Sequence, residues 1–228
     1  ILLETLTRQK ITKQSEIIVL DSAAQKHTKA QMKKQFPEMH YQPFSKNIGY
    51  AKLVNTGIKQ AQGNYFLILN ADISISGKAI KGMLDFLKTK LDAAAVGITD
   101  CFRFPTIGSV IARRTPFGKT QWGKTILASY EMMDYDRKKA SVVDWVRGDC
   151  WMLTQKAINH VGLLDERFFM YFEDTDWCRR ANLLGWRIYF LPGVPVRQGR
   201  HGASRQQTLK GFLYRVIHII SFIKYRFL

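Results

Sequence analysis

The densest run of potentially reactive side chains is Phe172-Glu173-Asp174-Thr175-Asp176, set between Phe168, Phe169 and Tyr171 on one side and the basic pair Arg179-Arg180 on the other. A carboxylate beside apolar rings resists ionisation, which is one way to build a general base. Acids also complement the positive end of a helix dipole, so a plain helix start reads the same way. Two further acids follow apolar runs. Glu16-Ile17-Ile18-Val19-Leu20 ends at Asp21, and Tyr65-Phe66-Leu67-Ile68-Leu69 delivers Asn70-Ala71-Asp72. A carboxylate at a strand end suits a divalent cation held against a diphosphate, because hard cations take oxygen ligands. It equally suits a turn former or a helix N-cap.

The elements that must position these groups alternate in type. The spacing of apolar residues predicts helices over 2–9, 23–35, 55–62, 77–90, 155–161 and 172–184, with strands over 16–20, 65–69 and 186–191. Periodicity also returns over 142–153. Such alternation predicts an α/β fold with a mainly parallel central sheet flanked by helices, in which ligands bind at the carboxyl ends of the strands. Residues 102–140 are basic and punctuated by Pro105, Pro116 and several glycines, and they read as a long, partly mobile excursion.

A formal charge of +17 on 228 residues predicts attraction to phosphate-rich partners without choosing among them. A nucleic-acid partner is not expected, since no recognition motif or aromatic stacking platform accompanies the charge. Cys101, Cys150 and Cys178 lack paired spacing, as reduced thiols in a cytoplasmic protein would. Thr208 to Leu228 places Leu209, Phe212, Leu213, Val216, Ile217, Ile220 and Ile223 on one helical face, with Lys210, Arg215, Lys224 and Arg226 off the stripe. That pattern suits a helix lying in an anionic membrane interface, and equally one packed on its own domain.

The stretch Gly162-Leu163-Leu164-Asp165-Glu166-Arg167-Phe168-Phe169-Met170-Tyr171-Phe172-Glu173-Asp174-Thr175-Asp176-Trp177-Cys178-Arg179-Arg180 resembles the G-x-x-D-E-x-F-F-x-Y-x-E-D-x-D-x-x-x-R signature of family 2 glycosyltransferases, in particular a rhamnosyltransferase-like branch. Leu20-Asp21-Ser22-Ala23 is similar to V-D-N-x-S. Asn47-Ile48-Gly49-Tyr50-Ala51 with Asn55-Thr56-Gly57-Ile58 is similar to N-x-G-F-A-x-G-x-N-x-G-I, and Leu69-Asn70-Ala71-Asp72 to L-N-P-D. The resemblance implies a GT-A type fold and an inverting mechanism. It places Asp174 as general base with Glu173 beside it, and Asp21, Asn47, Gly49, Asn55, Asn70 and Asp72 on a nucleotide diphosphate sugar. It also puts Mg²⁺ or Mn²⁺ on Asp72, with His201 as a further ligand. Within Trp145-Val146-Arg147-Gly148-Asp149-Cys150-Trp151, Asp149 is expected to contact an acceptor hydroxyl, and Trp145 or Trp151 to stack on a sugar face or lie in the core.

Departures from the pattern are Leu53 in place of Gly, Ala71 in place of Pro, and Gly199 where the family has histidine. The family's opening strand is expected upstream of Ile1. Residues 1–204 are expected to form the catalytic domain and 205–228 the tail helix. The implied activity is transfer of a hexose or deoxyhexose, rhamnose being the branch's suggestion, to a cell-surface glycan or lipid-linked acceptor. The site would then lie on the inner face of the cytoplasmic membrane, held there peripherally. The competing reading is a degenerate, non-catalytic nucleotide- or sugar-binding module.

Overall fold

Apolar, β-branched runs become strands and the amphipathic runs between them become helices. The computed structural model describes residues 2–136, 138–194, 196–198 and 209–227. In chain order, α1 (Leu2–Arg8) leads through a 3₁₀ turn to β1 (Ile18–Asp21), α2 (Thr28–Gln35) and β2 (His40–Pro43). Then come α3 (Tyr50–Gln60), β3 (Tyr65–Leu69), β4 (Ile73–Ile75), α4 (Gly77–Thr89), β5 (Ala93–Gly97) and the short β6 (Cys101–Phe102). After them, α5 (Ile107–Arg114), a 3₁₀ turn and α6 (Gln121–Tyr130) precede β7 (Ser141–Val143), β8 (Trp145–Val146) and β9 (Cys150–Thr154). The remaining elements are α7 (Gln155–Val161), α8 (Glu173–Leu183), β10 (Arg187–Phe190), β11 (Val196–Gln198) and α9 (Leu209–Phe227).

The central sheet has five strands in the order β3-β9-β5-β10-β7. The expectation of a mainly parallel sheet holds for direction, with β3, β5 and β10 running the same way, but less so for neighbours. β9 pairs antiparallel with both β3 and β5, and β7 pairs antiparallel with β10. The reason is local: the turn before β9 docks on the end of β3, where the Asn70 N–H donates to the Asp149 carbonyl, so β9 runs back against β3. β1 and β2 form a separate parallel pair, and among the described residues no strand hydrogen-bonds that pair to β3.

Alternation along β9 divides the core. Cys150 and Met152 face Ala79, Met83 and Leu87 of α4, while Trp151 and Leu153 face α3, α7 and α8. Trp151 lies edge-on to Trp177, ring centroids 5.5 Å apart, and both are fully buried. Hydroxyl caps start several helices: Ser76 on α4, Thr106 on α5, Thr120 on α6 and Thr154 on α7.

Residues 102–140 are not an irregular excursion. They contain α5 and α6 packed against each other, and Val110 of α5 packs against the cluster of Phe168, Phe172 and Tyr225. The glycines that suggest mobility in the sequence serve close approach instead. A Cβ on Gly118 would lie 2.1 Å from the Ala112 carbonyl oxygen, and one on Gly123 2.0 Å from that of Phe117. All three cysteines are buried thiols.

Candidate active site

The carboxyl ends of β3 and β5 and the amino end of β9 meet at one edge of the sheet. There the Gly148 peptide is gripped from both sides. Its N–H donates to Asp174 Oδ2 at 2.9 Å, and its carbonyl accepts a short hydrogen bond from the Tyr50 hydroxyl. A side chain there would be crowded from both sides: a Cβ on Gly148 would lie 3.2 Å from the Asp174 Cβ and 3.3 Å from the Tyr50 oxygen, so a neighbour would have to give by a few tenths of an ångström. The second oxygen of Asp174 accepts from the Thr175 N–H at 2.7 Å and the Thr175 hydroxyl at 3.3 Å. Both edges of the carboxylate are therefore oriented before any ligand arrives.

Asp174 and Glu173 open α8, and with Asp176 they supply its acidic first turn, so the helix-start and base-bearing readings hold together. Burial separates their roles. Glu173 is buried, and its Oε2 has no hydrogen-bond partner among the described residues, whereas Asp174 is only half-buried. Burial, then the charge of Asp174, pushes the Glu173 carboxyl well above the usual carboxylate range, so Glu173 is held neutral. Burial also raises Asp174, against the lowering effect of the Gly148 and Thr175 donors. A partly exposed carboxylate raised above its ordinary value is suited to accept a proton, and the closed, neutral neighbour is not.

The backbone before α8 is strained to make this approach. Tyr171 and Phe172 both have left-handed φ, 70° and 72°, a conformation that non-glycine residues seldom adopt. The loop is over-determined by its surroundings. The Tyr50 N–H donates to the Phe169 carbonyl at 2.8 Å, and the Ser221 hydroxyl of α9 donates to the Met170 carbonyl at 2.8 Å. Phe172 packs against Phe222 and Tyr225 of α9, and the Arg179 guanidinium lies over the Tyr225 ring. Gly49, with φ +86°, is the required residue where α3 begins, because a Cβ there would sit 2.8 Å from the Phe169 carbonyl oxygen.

On the expected nucleotide side, Asp21 stands at the end of β1 and accepts from the Tyr41 hydroxyl at 2.6 Å. Asn47 accepts from the Gly49 N–H at 2.9 Å and the Ser22 hydroxyl at 3.2 Å, tying the loops after β1 and β2 together. Asn70 and the exposed Asp72 follow β3, beside the Gly148 turn. Asn55 belongs elsewhere. It is buried and its amide is spent on the backbone N–H and carbonyl of Leu164 and on Glu166, so it clamps α3 to the loop before α8 and does not reach a ligand.

Two expected acceptor contacts are also corrected. Asp149 is buried, and its carboxylate accepts from the Thr99 hydroxyl at 2.8 Å and pairs with Arg147, which reaches Asp100 at 2.7 Å. It is a brace for Arg147, not an open hydroxyl receptor. Trp151 is sealed in the core against Trp177, and Trp145 is stacked on Phe102 with its indole N–H on the Arg103 carbonyl, so neither offers a face to a sugar. Tyr50 and Arg147 are the residues that sequence reasoning passed over. Tyr50 was visible only as the aromatic between Gly49 and Ala51, and Arg147 only as a neighbour of Gly148.

A divalent cation is compatible with this edge. Asp72 offers exposed carboxylate oxygens close enough to Asp149 to help raise its pKa, behind the larger effect of burial, so the donor set is oxygen-only as a hard cation prefers. Among the described residues no group of three or more His, Cys, Asp or Glu side chains is gathered for a metal, so ligand oxygens would have to supply the remainder. His201 lies outside the described residues.

The fold and the family are shared with known proteins. The N-acetylglucosaminyl-diphospho-decaprenol L-rhamnosyltransferase of Mycobacterium tuberculosis is 24% identical over 203 residues, covering 79% of this chain and 65% of its own length. Rhamnosyltransferase WbbL of Escherichia coli is 23% identical over 179 residues, covering 73% of this chain and 63% of its own. The chain thus spans slightly under two thirds of these relatives. The solved mannosyltransferase PcManGT of Pyrobaculum calidifontis, in complex with GDP-Man and Mn²⁺, superposes with a TM-score of 0.59 at 15% identity, over 97% of this chain and 59% of that one. The fold is the GT-A type. The profile described as "Glycosyl transferase family 2" matches residues 1–162, and the chain belongs to that family.

Proposed function

We propose that the chain carries out inverting transfer of a hexose or deoxyhexose, rhamnose by the branch of its relatives, from a nucleotide diphosphate sugar to an acceptor hydroxyl. The observation that carries this reading is the Asp174 carboxylate, partly exposed, raised in pKa and fixed by Gly148 and Thr175. In the reaction the acceptor oxygen attacks the anomeric carbon and its proton passes to Asp174. The anomeric C–O bond breaks, and its electron pair leaves with the nucleoside diphosphate. In this reading Asp21 and the Asn47–Gly49 loop hold the nucleoside, and Glu173 stays neutral behind the base. Mg²⁺ or Mn²⁺ on Asp72 and the diphosphate oxygens would supply neutralisation of the charge on the departing group. His201 is a candidate for the same cation.

The acceptor is a cell-surface glycan or a lipid-linked intermediate at an anionic membrane on its cytoplasmic side, a class supported by the charge of +17 and by the decaprenol-linked acceptor in the name of one relative. No helix among the described residues is long and apolar enough to cross a membrane. Titration with uridine, thymidine and guanosine diphosphates in the presence of Mn²⁺ tests donor recognition, and failure to bind any of them returns the chain to a non-catalytic module. Asp174→Asn is expected to abolish transfer while leaving nucleotide affinity within about threefold. Wild-type transfer by that variant removes Asp174 from its role.

A further inference from the structure

α9 has two apolar faces, and the fold uses one. His218, Ser221 and Tyr225 turn inward and are buried against the loop before α8. The opposite side carries Phe212, Leu213, Ile220, Ile223 and Phe227, each between 47% and 84% exposed. Leu213, Ile220, Ile223 and Phe227 follow one another at intervals of seven, three and four residues, and with Phe212 they form a ridge along the helix. A ridge of this size that no described residue covers is unusual on a protein that remains in water.

Its borders point to the occupant. Arg215 and Arg226, both exposed, lie along one flank, and Lys224 lies along the other, its amine also donating to the Arg167 carbonyl at 2.7 Å. No acidic residue occurs from Leu209 to Phe227. Arg167, Ile223, Lys224 and Phe227 line a shallow apolar cleft between the helix and the loop. Two copies of this face would set cation against cation at the rims, whereas an anionic surface with an apolar interior complements both ridge and rims.

We propose that the outward ridge of α9 is a docking surface for an anionic lipid bilayer, set back to back with the loop that carries the base. It deepens the reading of a membrane-borne acceptor and rests on that reading for its purpose. The helix that would lie in the headgroup layer holds the Met170 carbonyl and packs Phe172, four and two residues before Asp174. Docking on this face therefore brings the catalytic edge of the sheet to the surface where a lipid-linked hydroxyl is presented.

The test is co-sedimentation of the chain with vesicles of phosphatidylcholine alone and of phosphatidylcholine mixed with phosphatidylglycerol. The chain is expected to pellet with the mixed vesicles, less so as salt rises, and to stay in solution with the neutral ones. The double substitution Ile220→Glu with Ile223→Glu is expected to weaken partition by more than about tenfold. Arg215→Glu with Arg226→Glu is expected to weaken it by about 25-fold, each cation near such a surface being worth about fivefold. All four positions are on the outward side, so circular dichroism and melting should match the wild type. Nucleotide titration is a separate readout, so a chain that binds vesicles but no nucleotide refutes the enzyme reading alone, and the converse refutes the docking surface alone. Equal pelleting of variants and wild type overturns the proposal. So does a concentration-dependent dimer that both double variants dissolve, since the ridge would then belong to a second copy.

Discussion

Tyr50→Phe isolates the grip on the Gly148 peptide. The substitution keeps the ring and deletes the one hydroxyl that donates to the Gly148 carbonyl, leaving a buried acceptor without that partner. Leaving such a group unsatisfied costs about 1–3 kcal/mol of stability, seen as a lower melting temperature. The effect on rate follows a different path. With its carbonyl released, the Gly148 unit can rotate and weaken the N–H bond to Asp174 Oδ2, while the Thr175 donors to the other oxygen remain. One of three hydrogen bonds to the carboxylate is weakened, and about 1.4–2.8 kcal/mol of positioning corresponds to a roughly 10- to 100-fold fall in kcat. Nucleotide affinity should not change, because the hydroxyl that is removed bonds the Gly148 carbonyl and the hydrogen bonds of Asn47 to Gly49 and Ser22 are left in place. The assay is release of nucleoside diphosphate at saturating donor and acceptor, with calorimetric titration of the nucleotide and a thermal melt alongside. A variant that melts lower yet turns over within about twofold of the wild type refutes the reasoning, since Tyr50 would then support the fold without orienting the base.

The other predictions concern titration. Asp174 must be ionised to accept a proton and its pKa is raised by burial, so kcat/KM should climb with pH through a value above about 3.9, and Glu173→Gln should leave that limb in place because Glu173 is already neutral there. An acid limb at the ordinary aspartate value would show that the carboxylate is not held as described. Glu173 keeps in the native state a proton that the unfolded chain releases above about pH 4.3, so its burial costs stability as pH rises through that window. Melting of Glu173→Gln should therefore fall less steeply than the wild type between mildly acid and alkaline pH, and parallel curves would contradict the assignment. His218 behaves with the opposite sign. Burial, then Arg114 and Arg113, lowers its pKa to about 3, so the unfolded chain takes up a proton below about pH 6.5 that the native state refuses. Stability should drop by up to about 1.4 kcal/mol for each pH unit below that point, and His218→Leu, packed between Tyr171 and Phe172, should flatten the drop in acid melting curves.

Much of the fold was legible because its signals are local. The strand at Tyr65–Leu69 and the helix at Gln155–Val161 coincide with their apolar patterns residue for residue. What failed was reading that needs the third dimension. Gly118 and Gly123 look like hinges in a string of letters, and only the Ala112 and Phe117 carbonyls two ångströms away show that they are contact points. The antiparallel insertion of β9 was hidden because alternation reports that strands exist, not which neighbour each one finds. In the sequence a membrane interface and the chain's own domain are rival destinations for one apolar stripe, but α9 buries a different face, and Phe212, Ile220 and Ile223 stay outside.

The candidate site shows the same limit at the scale of single side chains. Residue type and order singled out Asp174, Asp72, Asp21 and Gly49, yet type alone could not distinguish a polar group offered to a ligand from one already spent. Asn55, Asp149 and Trp151 carry suitable chemistry and are consumed by Leu164, by Arg147 with Thr99, and by Trp177. Glu173 and Asp174 are adjacent carboxylates of nearly equal chemistry, and what separates them is that one points into a closed interior while the other is met by two backbone N–H groups with an edge left open. The Gly148 backbone, with no side chain of its own, helps set that difference: its N–H meets Asp174 and its carbonyl meets Tyr50. A Cβ at 148 would press on both neighbours at 3.2–3.3 Å and require a shift of a few tenths of an ångström, so the choice of base is written in the backbone as much as in the acid.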